Sequence, residues 1–330
     1  MVLVRMVSGF DPLVRLLALA ILLASLLPVT AEYRAMAQTV SNGAVFLLFL
    51  LNGLRLPRAD VLRGIGHARF LLPLALWCFG AMALAGAALA KTGSALMLPP
   101  TVALGFLFLG ALPSTVQSAT AYSSLAGGNV AASVVAAAFL NILGVFLSAP
   151  LFSLLAGSEA APFDLAALER IALILLLPFV LGQIAQGKAG HLVRDHKRLA
   201  TWMDRLAIAI AVYVAFSGAV EQGLWQLVGL ADWLSLLLLV GAFLAVGFSG
   251  AWLLGGALRL AREDRIAFLF AGAHKSVAMG APLAAVLFPP QVAGMVLLPL
   301  LIYHLLQLVA SAPLASRLAR HPRPLPDGAG

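Results

Sequence analysis

Two short polar stretches, each inside a long apolar segment, contain the charged and hydroxyl side chains that could do chemistry. His274, Lys275 and Ser276 follow one another within the apolar segment 265–288, and residues 113–118 read PSTVQS within the segment 97–125. Such groups in apolar surroundings suit anion binding, proton exchange, or activation of a serine by lysine. The candidate binding residues in the two stretches are Ser114, Thr115, Gln117, Ser118, His274, Lys275 and Ser276.

The composition predicts an all-α integral membrane protein. Of the 330 residues, 62% are hydrophobic and 10% are charged, whereas soluble domains carry about 25% charged residues. The apolar segments are continuous and about 17 to 25 residues long, the length of a helix that crosses a bilayer. Strands of a membrane barrel would instead alternate apolar and polar residues. The single cysteine, Cys78, excludes an intrachain disulfide.

We count ten predicted transmembrane spans, with no soluble domain between them. A cleaved signal peptide is the alternative for the first span, because Arg5 precedes an apolar run and residues 29–31 resemble a cleavage site. The spans cover residues 12–28, 38–54, 69–90, 97–125, 129–155, 168–187, 200–222, 232–258, 265–288 and 291–316.

The distribution of positive charge predicts the orientation of the spans. If the spans alternate in direction, seventeen of the 21 Lys and Arg residues lie on the face that holds both termini, and only Arg34, Lys91 and Arg170 lie on the other. Both termini are therefore predicted to be cytoplasmic. This distribution also accounts for the net charge of +8, so nucleic-acid binding is not expected. Lys275 lies on neither face.

The spans divide into two sets of five, residues 12–155 and 168–316, followed by a short cytoplasmic tail, 317–330. Because five is odd, the second set has the opposite orientation, as in inverted-repeat transporters. The fourth span of each set has a polar interruption near the midplane: Pro113 lies about 18 Å along its helix and Lys275 about 14 Å. Interruptions in corresponding spans are the best sequence indication of a transporter's binding site.

The ammonium group of Lys275 is too deep to reach the lipid headgroups. A lysine side chain extends about 6 Å, whereas the nearer interface is about 14 Å away. A charge at this depth costs about 2.5 to 3.5 kcal/mol on insertion, and none of the thirteen acidic residues lies in mid-membrane. Three states stay open: the amine is neutral, carbonyl groups of a broken helix hold it, or it awaits an anionic ligand.

The other polar residues of the spans each have a structural alternative. Hydroxyl groups in membrane helices commonly bond to carbonyls of the preceding turn, and a buried histidine is commonly held by the backbone. Clustering beside Pro113 nevertheless favours a binding site for residues 114–118. Polar residues elsewhere are expected to join helices by hydrogen bonds, and these are Asn42, Asn52, Asn141, Tyr303, His304 and Gln307.

Long motifs around both interruptions resemble a known transporter superfamily. They read LGFLFLGALPSTVQSATAYSSLAGGNVAASVVAAAFLNILGVFLSAPL at 104–151, AGAHKSVAMGAPL at 271–283 and LPLLIYHLLQL at 298–308. The chain resembles the bile acid:sodium symporter superfamily, specifically the branch similar to solute carrier family 10 member 7 and its bacterial relatives. The resemblance covers residues from about 13 to 317.

The resemblance implies ten helices in two domains and transport by alternating access. Spans 1, 2, 6 and 7 would form a panel, and spans 3–5 and 8–10 a core in which spans 4 and 9 unwind and cross. Substrate would bind between core and panel beside the crossing. The implied location is the plasma membrane, of the bacterial inner-membrane type.

The positions that hold sodium in the sodium-coupled members are only partly kept. Ser118 and Ser133 retain hydroxyl groups at matching positions, which leaves a weak residual sodium site. In the ninth span, Ala271 stands at the glutamate position and Lys275 at the glutamine position. The first change removes an anionic ligand, and the second puts a cation where the metal would lie. Sodium coupling is therefore not expected.

We expect a secondary transporter of a small organic anion, in which Lys275 replaces bound sodium and no cofactor is needed. Protons are the alternative coupling ion, if Lys275 exchanges one between the two sides. The other hypotheses are a sodium-coupled symporter of the bile-acid type, a regulatory membrane protein that does not transport, and an intramembrane hydrolase in which Lys275 activates Ser118 or Ser276. The oligomeric state cannot be derived from the sequence.

Overall fold

The computed structural model of the chain describes residues 11–55, 68–157 and 169–319. Within these ranges every regular element is a helix. Eight helices are long and apolar enough to cross a membrane, judged by length and composition. The first and fourth predicted spans contain shorter apolar helices, Pro12–Leu26 and Pro100–Ala111. An all-helical membrane architecture is thus confirmed, while the count of ten spans stays a prediction.

Fourteen α-helices follow one another in the described ranges. The predicted tail beyond Ala319, most of the polar segment between the two sets of spans, and the residues before Asp11 lie outside these ranges. The helices are α1 (Pro12–Leu26), α2 (Arg34–Arg55), α3 (Ala68–Leu76), α4 (Met82–Ala95), α5 (Pro100–Ala111), α6 (Gln117–Leu125), α7 (Val130–Ala156), α8 (Leu177–Asp195), α9 (Lys197–Glu221), α10 (Leu224–Leu227), α11 (Leu230–Ala257), α12 (Arg262–Ala273), α13 (Val277–Leu287) and α14 (Pro290–Ala319).

Two π-helical turns interrupt the regular hydrogen bonding of the longer spans. The turn Trp77–Ala81 joins α3 to α4, and the turn Ala172–Leu176 leads into α8. A π-helical turn shifts the backbone bonding by one residue and is often found at functional sites. The turn Trp77–Ala81 contains the buried Cys78, whose carbonyl oxygen contacts Lys275.

Helix α5 ends at Ala111 because of the proline two residues further on. Pro113 has no N–H group and disfavours a helical conformation in the residue before it. Leu112 accordingly has an extended backbone, with φ −82° and ψ 150°. The chain becomes helical again at Gln117. We refer to residues 112–116 as the first break.

Helix α12 ends at Ala273 in a similar way but without a proline. His274 is extended, with φ −78° and ψ 146°, and Ser276 has φ −92° and ψ 108°. The hydroxyl oxygen of Ser276 accepts the N–H of Met279 at 3.2 Å and so caps the first turn of α13. We refer to residues 274–276 as the second break.

Small residues let the backbone of neighbouring helices approach the first break closely. A Cβ atom on Gly144 of α7 would lie 2.5 Å from Cγ of Pro113, and one on Gly110 would lie 2.9 Å from the carbonyl oxygen of Met82. Only glycine leaves room for these contacts. Helices α4 and α7 are therefore packed directly against the end of α5.

The remaining helices pack around these broken spans. Helix α5 packs on α4 and α14, α12 packs on α11, and α9 packs on α1, α2, α13 and α14. Ion pairs join the ends of α2 to α9: Arg55 pairs with Asp204 and Arg34 with Glu221. These contacts give the framework in which the two breaks meet, and the division into a panel and a core stays a prediction.

Candidate functional site

The two breaks lie against each other in the interior of the protein. The N–H group of Ser276 donates to the carbonyl oxygen of Pro113 at 2.9 Å. Much of both segments is extended, so several of their N–H and C=O groups lack the partners of a continuous helix, although Leu112 and His274 still donate to carbonyl oxygens of the preceding helices, at 3.3 and 3.2 Å. A buried backbone group without a hydrogen bond is rare because it is costly. The side chains of neighbouring helices must therefore satisfy much of the backbone here.

Gln307 of α14 holds the backbone of the second break. Its side-chain oxygen accepts the N–H of Lys275 at 2.8 Å, and its amide nitrogen donates to the carbonyl oxygen of Lys275 at 3.1 Å. The same nitrogen donates to Nδ1 of His304 at 2.9 Å. Gln307 is fully buried. It thus replaces the backbone partners that Lys275 would have in a continuous helix.

Asn141 of α7 holds the first break in a comparable way. Its amide nitrogen donates to the carbonyl oxygen of Ser114 at 3.0 Å and to that of Ala137 at 2.8 Å. Asn141 and Gln307 lie in the last span of the first and second predicted repeats, respectively. Both residues were expected to form hydrogen bonds between helices, and the structure shows which backbone groups they serve.

The ammonium group of Lys275 is enclosed by backbone carbonyl oxygens. Its Nζ atom donates to the carbonyl oxygens of Leu112 at 2.7 Å, Gly110 at 2.9 Å and Cys78 at 3.1 Å. The Sγ atom of Cys78 lies 3.8 Å away. Lys275 has no exposed surface. Of the three states left open by the sequence, this is the one in which a broken helix holds the lysine through its carbonyl groups.

The position of these carbonyl groups explains how a buried charge is tolerated. Gly110 and Leu112 lie at the carboxyl end of α5, where helix carbonyls have no partner within the helix and carry a partial negative charge. An ammonium group has three N–H donors and no acceptor, which matches three carbonyl oxygens. We call Gly110, Leu112 and Cys78 the carbonyl shell of Lys275.

His274, the neighbouring residue, is surrounded by hydroxyl groups instead. Its Nδ1 atom lies 3.0 Å from Oγ of Ser118 and 3.4 Å from Oγ1 of Thr115, and its Nε2 atom lies 2.8 Å from Oγ of Ser311. The hydroxyl groups of Thr115 and Ser118 also contact each other. We call Thr115, Ser118 and Ser311 the hydroxyl shell of His274.

Aromatic rings close the other sides of His274. The ring centroids of Tyr122, Phe248 and Phe270 lie 5.9, 6.1 and 5.9 Å from that of the imidazole, each at a steep angle to it. These rings come from α6, α11 and α12. His274 is completely buried, while Ser118 is half-buried at the start of α6.

The other predicted site residues take separate positions. Gln117 is exposed on the first turn of α6. Ser114 is buried and its hydroxyl group has no hydrogen-bond partner in the described structure. Ser133 lies in a different cluster, where its hydroxyl accepts from Ser123 at 3.2 Å and donates to Thr120 at 3.5 Å. The structure thus joins Thr115, Ser118 and His274, and separates them from Ser133.

No described serine contacts the ammonium group of Lys275. Its donors are directed to the carbonyl shell, Ser118 contacts His274, and Ser276 caps α13. The arrangement of a serine nucleophile bonded to a lysine base is therefore not formed. Within the described ranges there is also no group of three or more His, Cys, Asp or Glu residues that could hold a metal ion.

Sequence reasoning missed Ser311, and it named carbonyl groups as possible partners of Lys275 without identifying which residues provide them. Ser311 is a polar residue in an apolar span, so it could have been included by the criterion that selected His304 and Gln307. The carbonyl oxygens of Cys78, Gly110 and Leu112 have no signature in the sequence because every residue carries one. Only the depth of Lys275 indicated that some group must stabilise it.

A cavity of about 170 Å³ lies away from both shells, where α2 meets the link between α13 and α14. The amide groups of Gln38 and Asn42 and the guanidinium group of Arg170 line it, together with apolar residues that include Ala285 and Phe288. Gln38 donates to the carbonyl oxygen of Ala285 at 3.2 Å. The cavity is therefore bounded by both predicted domains, by spans 2 and 6 on one side and by span 9 and its link to span 10 on the other.

Comparison with known proteins gives one family and several relatives along most of the chain. The family model described as the SBF-like CPA transporter family matches residues 11–320. The uncharacterised protein PA2026 of Pseudomonas aeruginosa is 40% identical over 304 residues, which are 91% of this chain and 90% of that protein. The candidate symporter YfeH of Escherichia coli is 36% identical over 310 residues, or 94% and 93% of the two chains. Sodium/bile acid cotransporter 7 of Mus musculus is 24% identical over 289 residues, or 82% and 80%.

Proposed function

Because the chain belongs to the SBF-like CPA transporter family, we propose that it is a secondary transporter of a small organic anion in which Lys275 takes the place of a bound coupling cation. Membership of the family supports transport. The substrate class and the role of Lys275 go beyond what family membership supports. They are argued from the geometry at the two breaks and from the cavity beside α2.

The carbonyl shell is the observation that supports the proposal that Lys275 replaces a bound cation. In transporters with broken helices, unwound carbonyl groups and the carboxyl ends of half-helices are typical ligands for sodium. The ammonium group of Lys275 has the same kind of ligands, at 2.7, 2.9 and 3.1 Å. Because the ammonium group is covalently attached, the positive charge is present without an ion from solution. The transporter would then not need sodium at this position.

The substrate does not have to touch Lys275 for this charge to act on it. All the hydrogen bonds of Nζ that the structure gives go to protein atoms, and the residue has no exposed surface. In a medium of low polarity, however, a fixed charge is felt over several ångströms. Lys275 would therefore favour an anion beside the crossing through its field rather than by direct contact.

The cavity beside α2 supports a compact anion as the substrate. A guanidinium group and an amide N–H group can bind a carboxylate through charge-assisted and neutral hydrogen bonds, and Arg170 and Asn42 line this cavity beside Gln38, whose amide nitrogen donates to Asn42 and Ala285. Its volume of about 170 Å³ is below the range of about 300 to 1,000 Å³ for pockets that hold drug-sized ligands. A small carboxylate fits this size better than a sterol.

We place the transporter in the bacterial inner membrane because of its bacterial relatives, with both termini in the cytoplasm because of the distribution of Lys and Arg. In this orientation the cavity opens toward the outer side, because Arg170 lies at the outer end of its span. Alternating access between a panel and a core would move the anion from there to the crossing.

The experiment is a ligand screen followed by transport, each with and without sodium. Thermal unfolding of the detergent-solubilised protein is measured with a panel of mono- and dicarboxylates and with taurocholate as a sterol comparison. A stabilising carboxylate is then used, radiolabelled, for uptake into proteoliposomes in sodium or potassium buffer. We expect uptake to be equal within about twofold in the two buffers, since a tenfold effect corresponds to about 1.4 kcal/mol of coupling.

The matched variant is Lys275→Gln, which removes the ammonium group and leaves its carbonyl shell. We expect sodium chloride to raise the melting temperature of this variant more than potassium chloride does, and to leave wild type unchanged. Uptake by wild type that falls at least tenfold without sodium would overturn the proposal in favour of a sodium-coupled symporter. If no anion in the panel stabilises the protein against thermal unfolding or is taken up into the proteoliposomes, the hypothesis of a regulatory membrane protein replaces transport.

A further inference from the structure

The partners of His274 differ from those of Lys275 in a way that bears on protonation. A neutral imidazole has one donor and one acceptor nitrogen, whereas an imidazolium has two donors. Each partner of His274 is a hydroxyl group, which can either donate or accept. The ring can therefore gain a proton while its hydroxyl partners rotate and keep every hydrogen bond.

His304, the other buried histidine of the described chain near the breaks, does not have this freedom. The side-chain oxygen of Gln307 accepts the N–H of Lys275, so its NH₂ group must be the end that meets Nδ1 of His304 at 2.9 Å. That nitrogen is held as an acceptor. Protonation at Nδ1 would set two donors against each other and lose the hydrogen bond.

A hydroxyl group also lies between His274 and the exposed part of the first break. Ser118 is half-buried, and it follows the exposed residues Gln117 and Val116, the latter 42% exposed. A proton that arrives from water can bind to the Ser118 oxygen while the hydroxyl proton of Ser118 passes to Nδ1 of His274. An O–H bond of a hydronium ion and the O–H bond of Ser118 break, a new O–H bond on Ser118 and an N–H bond on His274 form, and a water molecule is released, so the net change is one proton taken from solution.

Every titratable group that faces this site is identifiable in the described structure. Lys275 is adjacent in the second break, Tyr122 lies on α6, His304 lies on α14 and interacts electrostatically with His274, and Cys78 faces Lys275 from the turn before α4. The carboxylate of Asp11 interacts with Tyr122 and His304 from the start of α1. Among the described residues, no carboxylate forms a hydrogen bond or ion pair with His274.

A proton on His274 would therefore add a second positive charge next to the fixed charge of Lys275. Like charges this close disfavour each other, and a nearby anion offsets the repulsion. By linkage, an anion that favours the proton is itself bound more tightly when the proton is present. We propose that His274 is the proton-binding site of the transport cycle and that the chain carries its anion together with a proton. This inference rests on the proposed function, since it names the coupling ion of that transporter.

The first test is a pH step made with and without the carboxylate from the screen. Proteoliposomes adsorbed on a solid-supported membrane are exposed to a step from about pH 8 to about pH 5, the interval in which an unperturbed histidine changes its charge. Wild type should give a transient current from proton binding, and the carboxylate should enlarge it because the anion offsets the charge of Lys275. His274→Gln should give only the signal of protein-free liposomes, and the matched control His304→Gln should keep the wild-type amplitude. A full transient in His274→Gln, or none in wild type, would overturn the inference.

A second measurement decides the question if His274→Gln fails to fold. Wild type and His304→Gln are labelled with ¹⁵N only in histidine, and the ring nitrogen signals are followed over the same pH range. One histidine besides His67, His191, His196 and His321 should change from the neutral to the cationic pattern in both proteins. If the only signals that change with pH belong to these four, the inference fails.

Two further arms separate this inference from the proposed function. A transient after a sodium step in wild type contradicts sodium independence, whatever the pH step shows. Uptake of the carboxylate from the screen should rise at least threefold when the outside is made acidic. Uptake that is indifferent to the proton gradient would overturn coupling through His274 and leave anion transport standing.

Discussion

His274 and Lys275 are neighbours in the second break, yet their surroundings are of opposite kinds. The carbonyl shell of Lys275 consists of acceptors that cannot donate, at 2.7 to 3.1 Å. The hydroxyl shell of His274 consists of groups that do both. The first shell suits a group with three donors, such as an ammonium group, whereas the second can pair with either protonation state of an imidazole. Extended backbone, in which adjacent side chains point in opposite directions, lets one break carry both.

Removal of the Lys275 ammonium group should cause the largest loss of stability among the variants that test this comparison. In Lys275→Met, three buried carbonyl oxygens lose their donor, and each such loss costs about 1 to 3 kcal/mol. We expect the free energy of unfolding in detergent micelles to fall by about 3 to 5 kcal/mol. The control is Lys91→Met at an exposed position of α4, which should change it little. Equal stability of the two variants would show that the shell does not depend on the ammonium group.

Removal of the Gln307 amide group, which holds the backbone of the second break, should have the next largest effect. Gln307→Leu leaves both backbone groups of the buried Lys275 unpaired, and we expect a loss of about 2 to 3 kcal/mol in the same assay. Asn141→Leu is the matched variant for the first break, where a half-buried side chain serves one break carbonyl. It should cost about 1 to 2 kcal/mol. The reverse order would mean that the first break is the one that determines stability.

Substitution of the hydroxyl residues should have the smallest effect, and it should change the rate of proton binding rather than the stability. Ser118→Ala removes the group that lies between His274 and the exposed part of the first break, so the transient after a pH step should decay several-fold more slowly while its total charge is kept. Ser133→Ala should leave the transient unchanged, because that hydroxyl bonds to Ser123 and Thr120 instead of His274. An equal slowing in both variants would assign the proton path to the other hydroxyl cluster.

Much of the site was predictable because a buried charge and a broken helix both depend on residue types that stand out in an apolar sequence. Pro113 predicted the first break, and the polar residues 274–276 within an apolar span predicted the second. Asn141 and Gln307 were recognised as hydrogen-bonding residues, although which backbone groups they serve depends on how α7 and α14 cross the breaks. Ser133 was grouped with Ser118 by motif comparison, and the structure places the two hydroxyls in different clusters.

The sequence by itself determined the helical membrane architecture, the two interrupted spans and the need for some partner to Lys275. These follow from hydropathy, from the missing N–H group of proline and from the energy of a charge in an apolar medium. Only the tertiary structure decided which partner that is. Backbone carbonyl groups are the same in every residue, so their convergence on one ammonium group depends on how α5, the turn before α4 and the second break come together. That convergence gives the side-chain nitrogen of Lys275 three acceptors and leaves the hydroxyl groups for His274.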